Sequence, residues 1–285
     1  MIRLSAFSDE AGVSLQEQID ALHRNNIRLM EIRTVDGESI AKITEEKAKA
    51  IAAKLKESNI QVWSIGSPLG KVHLNEDFDL SVLLELTHHL CRLANIFETD
   101  KIRMFSFYSA YDKKEQVFDY LRQMQKIAAG YGVTLCHENE KDIYGDIVSR
   151  VQELMENVPG LKYVYDPANY LQCGEKAENS LPALHSTTEY FHIKDVISET
   201  QELVPAGHGD GNIAGLIEMI TDDKVMTLEP HLKVFDGYAS FDNEQMKNKF
   251  HFSSNTEAFD AAVNALKGLL TAQGYIEKDG GFVKV

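Results

Sequence analysis

The stretch Gly132–Glu140, GVTLCHENE, decides both the fold and the chemistry that we predict for this chain. It begins as an apolar run typical of a buried strand, and it ends in four polar residues, His137, Glu138, Asn139 and Glu140. A buried carboxylate costs free energy unless a partner or a cation compensates its charge. The stretch therefore predicts a strand that delivers Glu138 to a polar site.

Similar short apolar runs recur along the chain, and longer helical patterns separate them. The strand candidates are residues 2–8, 28–34, 61–67, 101–108, 133–138, 162–167, 189–194 and 225–230. Eight such units in about 270 residues match the size and order of a (β/α)8 barrel. A doubly wound sheet fits less well, because no G-x-G-x-x-G follows the first strand. We predict an α/β fold, a single TIM-barrel domain over residues 1–285, and the tail 275–285 remains unplaced.

Two helix starts have the pattern of a capping box. Ser14 is followed three residues later by Glu17, which predicts a helix over residues 15–25. Asp112 and Glu115 have the same spacing and predict a second capped helix over residues 113–130.

Composition and charge exclude several classes of partner. The chain has 29 Lys and Arg against 44 Asp and Glu, a formal charge of −15 that repels nucleic acid and anionic membranes. It lacks an apolar run long enough to span a membrane. Cys91, Cys136 and Cys173 lack the spacing of a disulfide framework or a zinc motif. We expect a cytoplasmic protein with a small-molecule partner, no nucleic acid and no membrane; a homo-oligomer is left open.

Four successive predicted strands, the fifth to the eighth, each end in a side chain that can bind a metal. These are Glu138, Asp166, His192 and Glu229. Because strand ends of a barrel meet at one rim, the four are expected to converge. Taken singly, each of these residues could be an ordinary helix cap or loop residue. Taken together, the three acids would repel one another unless a cation were bound between them. This oxygen-rich set favours Mn²⁺, Mg²⁺ or Co²⁺, with Zn²⁺ as an alternative.

The segments HENE, YDPANY, FHIKD and LEPH, in this order on strands five to eight, resemble the xylose isomerase-like TIM-barrel superfamily, especially its sugar phosphate isomerase/epimerase members. LSAFSDE, MEIR and SIGSPLGKV near the start extend the resemblance to about residue 272. The resemblance implies that Glu138, Asp166, His192 and Glu229 bind a divalent metal, commonly Mn²⁺. It also implies that Glu138 and Glu229 are the catalytic acid and base.

The implied activity is that of an isomerase of carbohydrate metabolism, acting on a sugar or sugar phosphate. Removal of a proton beside a carbonyl needs a nearby base, and a cation stabilises the resulting enediolate. A dehydratase of the same superfamily uses the same chemistry and expels water, so this alternative stays open. A sugar-binding barrel without catalysis is the third alternative. The related apurinic endonucleases need further histidines, and predicted strands three and four end in SIGSP and FSFY.

Six further polar residues are candidates for substrate contact. They are Glu31, Lys71, Asn169, Lys194, His208 and His231. Each could instead be an ordinary loop or structural residue. Glu31 and Arg33 share a strand face and could form an ion pair, whereas Lys71 in GSPLGK suits a turn as well as a phosphate contact. Asn169 stands where many members of the superfamily carry histidine, so we expect no proton relay there.

Overall fold

The computed structural model describes residues 1–235 and 246–285. The strands are β1 (Ile2–Ala6), β2 (Leu29–Ile32), β3 (Thr34–Val35), β4 (Glu38–Ser39), β5 (Gln61–Gly66), β6 (Lys101–Met104), β7 (Thr134–Glu138), β8 (Lys162–Tyr165), β9 (Thr188–Ile193), β10 (Asp195–Ile197), β11 (Glu202–Val204), β12 (Lys224–Leu228), β13 (Tyr275–Lys278) and β14 (Gly281–Lys284). The helices are α1 (Leu15–Arg24), α2 (Glu45–Glu57), α3 (Leu80–Ile96), α4 (Lys114–Gly130), α5 (Val148–Asn157), α6 (Pro167–Gln172), α7 (Ala177–Leu184), α8 (Ile213–Met219) and α9 (Asn255–Ala272). Among these residues, no helix has both the length and the apolar character needed to cross a membrane.

Parallel strands close into an eight-stranded barrel. Their order is β1, β2, β5, β6, β7, β8, β9 and β12, and β12 then pairs with β1 to complete the ring. Each predicted strand run overlaps one of these strands, and helices surround the barrel. The predicted TIM barrel is therefore confirmed.

Alternation along the strands separates two apolar regions. On β9, Phe191 and Ile193 belong to the large core between the barrel and its helices. Tyr190 packs inside the barrel with Cys136 and Val164. Because side chains on a strand alternate between faces, His192 shares the inner face with Tyr190 and lies above this apolar plug. The plug thus forms a floor beneath the polar strand ends.

The last residues of the chain form a hairpin, although the sequence alone left residues 275–285 unplaced. β13 and β14 pair with each other in antiparallel fashion. β14 also pairs with β1, where Phe282 lies opposite Ile2. The hairpin is therefore fixed beside the start of the first barrel strand.

One of the two predicted capping boxes is present. Ser14 Oγ accepts a hydrogen bond from the Glu17 backbone at 3.3 Å, and Glu17 Oε2 accepts one from the Ser14 backbone at 2.9 Å. The predicted box of Asp112 and Glu115 is wrong. Helix α4 starts one residue later, with Lys113 as the cap residue and no side-chain capping bond.

Candidate metal centre

Glu138, Asp166, His192 and Glu229 come together at the C-terminal rim of the barrel. Glu138 ends β7, Asp166 follows β8, His192 lies on β9 and Glu229 follows β12. One potential ligand atom from each lies within 4.8 Å of the others, and all four side chains are buried. The sequence prediction that strands five to eight present these side chains to one place agrees with this geometry.

Asp166 has two structural contacts that use different oxygens. Its Oδ1 accepts a hydrogen bond from the Asn169 backbone at 3.1 Å and so caps α6. Its Oδ2 forms an ion pair with Lys194 Nζ at 2.9 Å. Burial raises the pKa of Asp166 to about 7, although Lys194 opposes this shift. A helix cap and a metal ligand are therefore compatible roles for this residue.

The His192 ring lies between acids on both of its nitrogens. Nδ1 is 2.9 Å from Glu138 Oε1 and 3.2 Å from Glu229 Oε2. Nε2 is 3.1 Å from Glu31 Oε2, and Tyr190 donates a hydrogen bond to Glu31 Oε1 at 2.9 Å. Burial disfavours the charged ring, but the surrounding carboxylates raise the pKa of His192 well above its usual value.

Buried cations balance the charge of the two glutamates. Arg103 Nε lies 3.2 Å from Glu138 Oε2. Arg33 donates from Nη1 to Glu229 Oε1 at 2.9 Å and also pairs with Asp9. Although burial opposes ionisation of Glu229, the charges of Lys194 and His192 lower its pKa well below the usual range. The two glutamates both lie on the Nδ1 side of His192 and are held by different cations.

The donor set fits a divalent cation. Asp166 Oδ2 pairs with Lys194, and Glu229 Oε2 lies beside His192 Nδ1; a carboxylate oxygen with one such partner retains a lone pair for a further ligand. Three carboxylates and one imidazole are suitable ligands for Mn²⁺, Mg²⁺, Co²⁺ or Zn²⁺. Such an ion would also offset the repulsion among the acids.

A cavity of about 410 Å³ opens directly above this cluster, which is large enough for a small sugar. Glu138 and Glu229 lie in its wall, whereas Asp166 and His192 lie beneath it. The cavity is rich in basic side chains despite the acidic composition of the chain. These are Arg33, Lys71, Arg103, Lys141, Lys194 and Lys247.

Four of the six residues predicted to contact substrate line the cavity: Lys71, Asn169, Lys194 and His231. Lys71 pairs with Glu140 at 3.1 Å. Asn169 donates a hydrogen bond to the Asn139 carbonyl at 2.8 Å. Lys194 Nζ lies 3.6 Å from Glu229 Oε2, and His231 Nε2 lies 3.7 Å from Glu229 Oε1.

The other two predicted contacts, Glu31 and His208, lie outside the cavity wall. Glu31 is fully buried beneath His192, and its suggested ion pair with Arg33 is absent, since Arg33 pairs with other acids. The alternation along the strand correctly placed Glu31 and Arg33 on one face. It could not predict which partner each side chain contacts across the barrel. His208 is exposed and packs edge-on against Phe250, with ring centroids 5.6 Å apart.

Sequence reasoning missed the contribution of the first barrel loop. Asp9 and Glu10 follow β1 and bind the Arg33 guanidinium, and Glu10 Oε2 accepts the His231 backbone N–H at 2.8 Å. Burial raises the pKa of Glu10 to about 8. The acidic end of LSAFSDE was the available signal, but its partners are distant in sequence. Arg103 was missed for the same reason.

The chain belongs to the xylose isomerase-like TIM-barrel family, whose model matches residues 19–247. A comparison with curated proteins found no match.

Solved structures share this barrel over nearly their whole length. A probable 3-DHS dehydratase, AsbF, from Bacillus anthracis has 17% identity and a TM-score of 0.70, covering 94% of this chain and 99% of that one. The IOLI protein, solved with a zinc atom, has 14% identity and a TM-score of 0.73, with coverages of 95% and 98%. A D-allulose 3-epimerase from Methylomonas sp. has 14% identity and a TM-score of 0.73, with coverages of 94% and 98%. At these identities the likeness shows the fold alone.

Proposed function

We propose that this protein is a divalent-metal-dependent isomerase or epimerase of a sugar or sugar phosphate, working by proton transfer through an enediolate. The observation that carries the proposal is the position of Glu138 and Glu229. Both line the cavity, and both also belong to the four-residue donor cluster at its floor. The D-allulose 3-epimerase, a structural neighbour, supports the choice of reaction.

Glu138, Asp166, His192 and Glu229 would hold the cation, and we expect Mn²⁺, with Mg²⁺, Co²⁺ and Zn²⁺ as alternatives. When bound, a divalent ion polarises carbonyl and hydroxyl oxygens of a substrate and makes the adjacent C–H more acidic. Lys71, Asn169, Lys194 and His231 line the space above and would orient the hydroxyl or phosphate groups.

The two glutamates would then divide the proton transfer. One carboxylate removes the proton from the carbon beside the carbonyl, within hydrogen-bonding reach of the bound substrate. The other returns a proton on the opposite face, which gives epimerisation, or the proton returns to the neighbouring carbon, which gives isomerisation. Arg103 and Arg33 hold the two carboxylates in place through the contacts described above.

Dehydration is the second candidate, and Lys194 is the observation that favours it. Its ammonium group lies in the cavity wall, 2.9 Å from Asp166 Oδ2, where it could protonate a departing hydroxyl group. The structural neighbour AsbF is a probable dehydratase. An enone absorbance that develops with substrate would identify this reaction, whereas epimerisation produces none.

We expect Glu138→Gln and Glu229→Gln each to lower kcat by at least about 100-fold, because each removes a general acid or base. The assay is a panel of sugars and sugar phosphates with Mn²⁺ in deuterated water, in which exchange of the substrate C–H is followed by NMR. Wild-type turnover with any of these substrates would also eliminate the sugar-binding barrel without catalysis.

Glu189→Gln is the matched control, because Glu189 lies on β9 near Lys101 and away from the metal-binding end. This variant should retain wild-type turnover. Turnover near the wild-type rate in Glu138→Gln or Glu229→Gln would contradict the proposed roles.

The free cysteines Cys91, Cys136 and Cys173 support a reducing, cytoplasmic location for the reaction.

A further inference from the structure

A buried carboxylate lies on the side of His192 that faces away from the cavity. Glu31 Oε2 is 3.1 Å from His192 Nε2, and neither side chain has any exposed surface. Glu31 comes from β2 and His192 from β9, so the contact crosses the interior of the barrel. We propose that Glu31 is a positioning residue for the metal centre, which fixes the His192 ring so that Nδ1 faces the cation. This inference rests on the metal binding in the proposed function.

Glu31 is itself held by a chain of hydrogen bonds. Tyr190 donates its hydroxyl proton to Glu31 Oε1 at 2.9 Å. Ser64 Oγ lies 3.2 Å from the same hydroxyl and can donate to it. Strands β5, β9 and β2 each contribute one member, so the position of the carboxylate is set by the barrel itself.

The two ring nitrogens of His192 face different surroundings. Nε2 lies 3.1 Å from Glu31 Oε2, whereas Nδ1 faces Glu138 Oε1 and Glu229 Oε2 at 2.9 and 3.2 Å, on the side where the four potential ligands converge. A cation bound there would take the place of the proton on Nδ1, and a hydrogen bond from Nε2 to Glu31 would keep the other proton in place. In metal sites, a carboxylate behind a histidine ligand orients the ring and increases its basicity.

The position of Glu31 excludes direct contact with a substrate. It does not line the cavity, and the His192 ring separates it from the other potential ligands. Glu31 therefore acts through His192. A purely structural role would affect folding stability but would leave the choice of ring nitrogen and the metal affinity unchanged.

The first test is calorimetric titration of Mn²⁺ into chelator-treated protein. We expect Glu31→Gln, which retains shape but removes the charge, to raise the Kd for Mn²⁺ by at least about 10-fold. Tyr190→Phe, which removes one hydrogen bond to Glu31, should weaken binding by a smaller factor. Asp146→Asn is the control, because Asp146 is another buried carboxylate that accepts a tyrosine hydroxyl, from Tyr111 at 2.9 Å, but lies outside the centre. It should bind Mn²⁺ as the wild type does.

The second test is NMR of ¹⁵N-histidine-labelled protein loaded with Zn²⁺, with the His192 signals assigned from a His192→Gln variant. The wild-type spectrum should show Nε2 protonated and Nδ1 bound to the metal. A metal-bound Nε2 would overturn the inference, as would a Kd for Glu31→Gln within about 3-fold of wild type. If the wild type binds neither ion, the proposed function fails together with this inference; if it binds and the variants match it, only this inference fails.

Discussion

At the scale of single residues, Asp166 is the clearest case of one side chain with two uses. Its Oδ1 caps α6, its Oδ2 faces Lys194, and the residue is one of the four in the donor cluster. Sequence alone offered a helix cap or a metal ligand as competing interpretations. The geometry makes them compatible, because a carboxylate has two oxygens and each can serve a different partner.

Substitution of Asp166 should separate these two uses. Asn can cap a helix as well as Asp, whereas Ala cannot, so Asp166→Ala should be less stable than Asp166→Asn by about 1 kcal/mol. Both variants should lose most of their affinity for Mn²⁺, since both lose the carboxylate charge. Urea unfolding of the metal-free proteins gives the first quantity, and calorimetry gives the second. Equal stabilities would contradict the capping role, and wild-type affinity in both would contradict the ligand role.

His137 should make the stability of the protein depend on pH. It is fully buried on β7 beside Ser106, and burial lowers its pKa to about 3. An unfolded histidine has a pKa near 6.5, so between about pH 6.5 and 3 the unfolded state binds a proton that the folded state does not. Stability from this group is thus complete above pH 6.5 and is lost as the pH falls, by about 2 kcal/mol between pH 7 and 5.

The measurement is the free energy of unfolding in urea at pH 7 and pH 5, for the wild type and for His137→Gln. Other titrating groups are common to both proteins, so the difference between their pH dependences isolates His137. The variant should lose less stability on acidification. An identical loss in both would show that His137 has an ordinary pKa.

At the scale of elements, the loop between β11 and α8 is organised by Asp195. Its carboxylate accepts hydrogen bonds from the backbone N–H groups of Gly207, Gly209 and Gly211, at 2.8, 3.1 and 2.9 Å. A Cβ atom at Gly209 would lie 2.4 Å from Asp195 Oδ1. The glycines of AGHGDGN therefore let the backbone approach this carboxylate closely.

Alanine at Gly209 should destabilise the protein by roughly 1–3 kcal/mol, the usual cost of overpacking a buried contact. The matched control is Gly268→Ala in α9, where the added Cβ meets no described atom within 4 Å apart from those of its chain neighbours and of its own helix backbone. Alanine is a better helix former than glycine, so this control should gain roughly 0.5–1 kcal/mol. Thermal unfolding of both variants measures the contrast. A Gly209→Ala variant as stable as wild type would show that the loop does not require the close approach.

At the scale of the whole molecule, the barrel was predictable because its signals are local and repeat. Each buried strand shows an apolar run, and the ends of successive strands give Glu138, Asp166, His192 and Glu229 directly. The short hairpins β3–β4, β10–β11 and β13–β14 were not predicted, because they lie outside the repeating strand–helix units on which the prediction rests.

The contacts that support the site were equally hidden from the sequence. Glu31 reaches a histidine 161 positions away, and Arg33 reaches Glu229 across 196 positions. The alternation along their predicted strand indicated only that Glu31 and Arg33 share a face. Their separate partners depend on barrel closure and on the depth of each side chain inside it, which no local pattern encodes.

Binding of a cation should stabilise the whole barrel, because the four donors come together only in the folded chain. An ion present at 100 times its Kd adds about 2.7 kcal/mol to the free energy of unfolding. Mn²⁺ should therefore raise the Tm of the wild type by about 5 °C or more, and a chelator should reverse the change. His192→Gln should show a much smaller rise. An equal rise in both would place the ion elsewhere.

Both ends of the chain lie at the face of the barrel opposite the cavity. The Met1 amino group pairs with Asp223 at 2.7 Å, and Phe282 of the terminal hairpin lies beside Ile2. An additional domain fused to either terminus would lie at that face and would leave the cavity open to solvent. The fold is therefore compatible with fusion to other domains at either terminus, because both termini lie on the face of the barrel opposite the cavity.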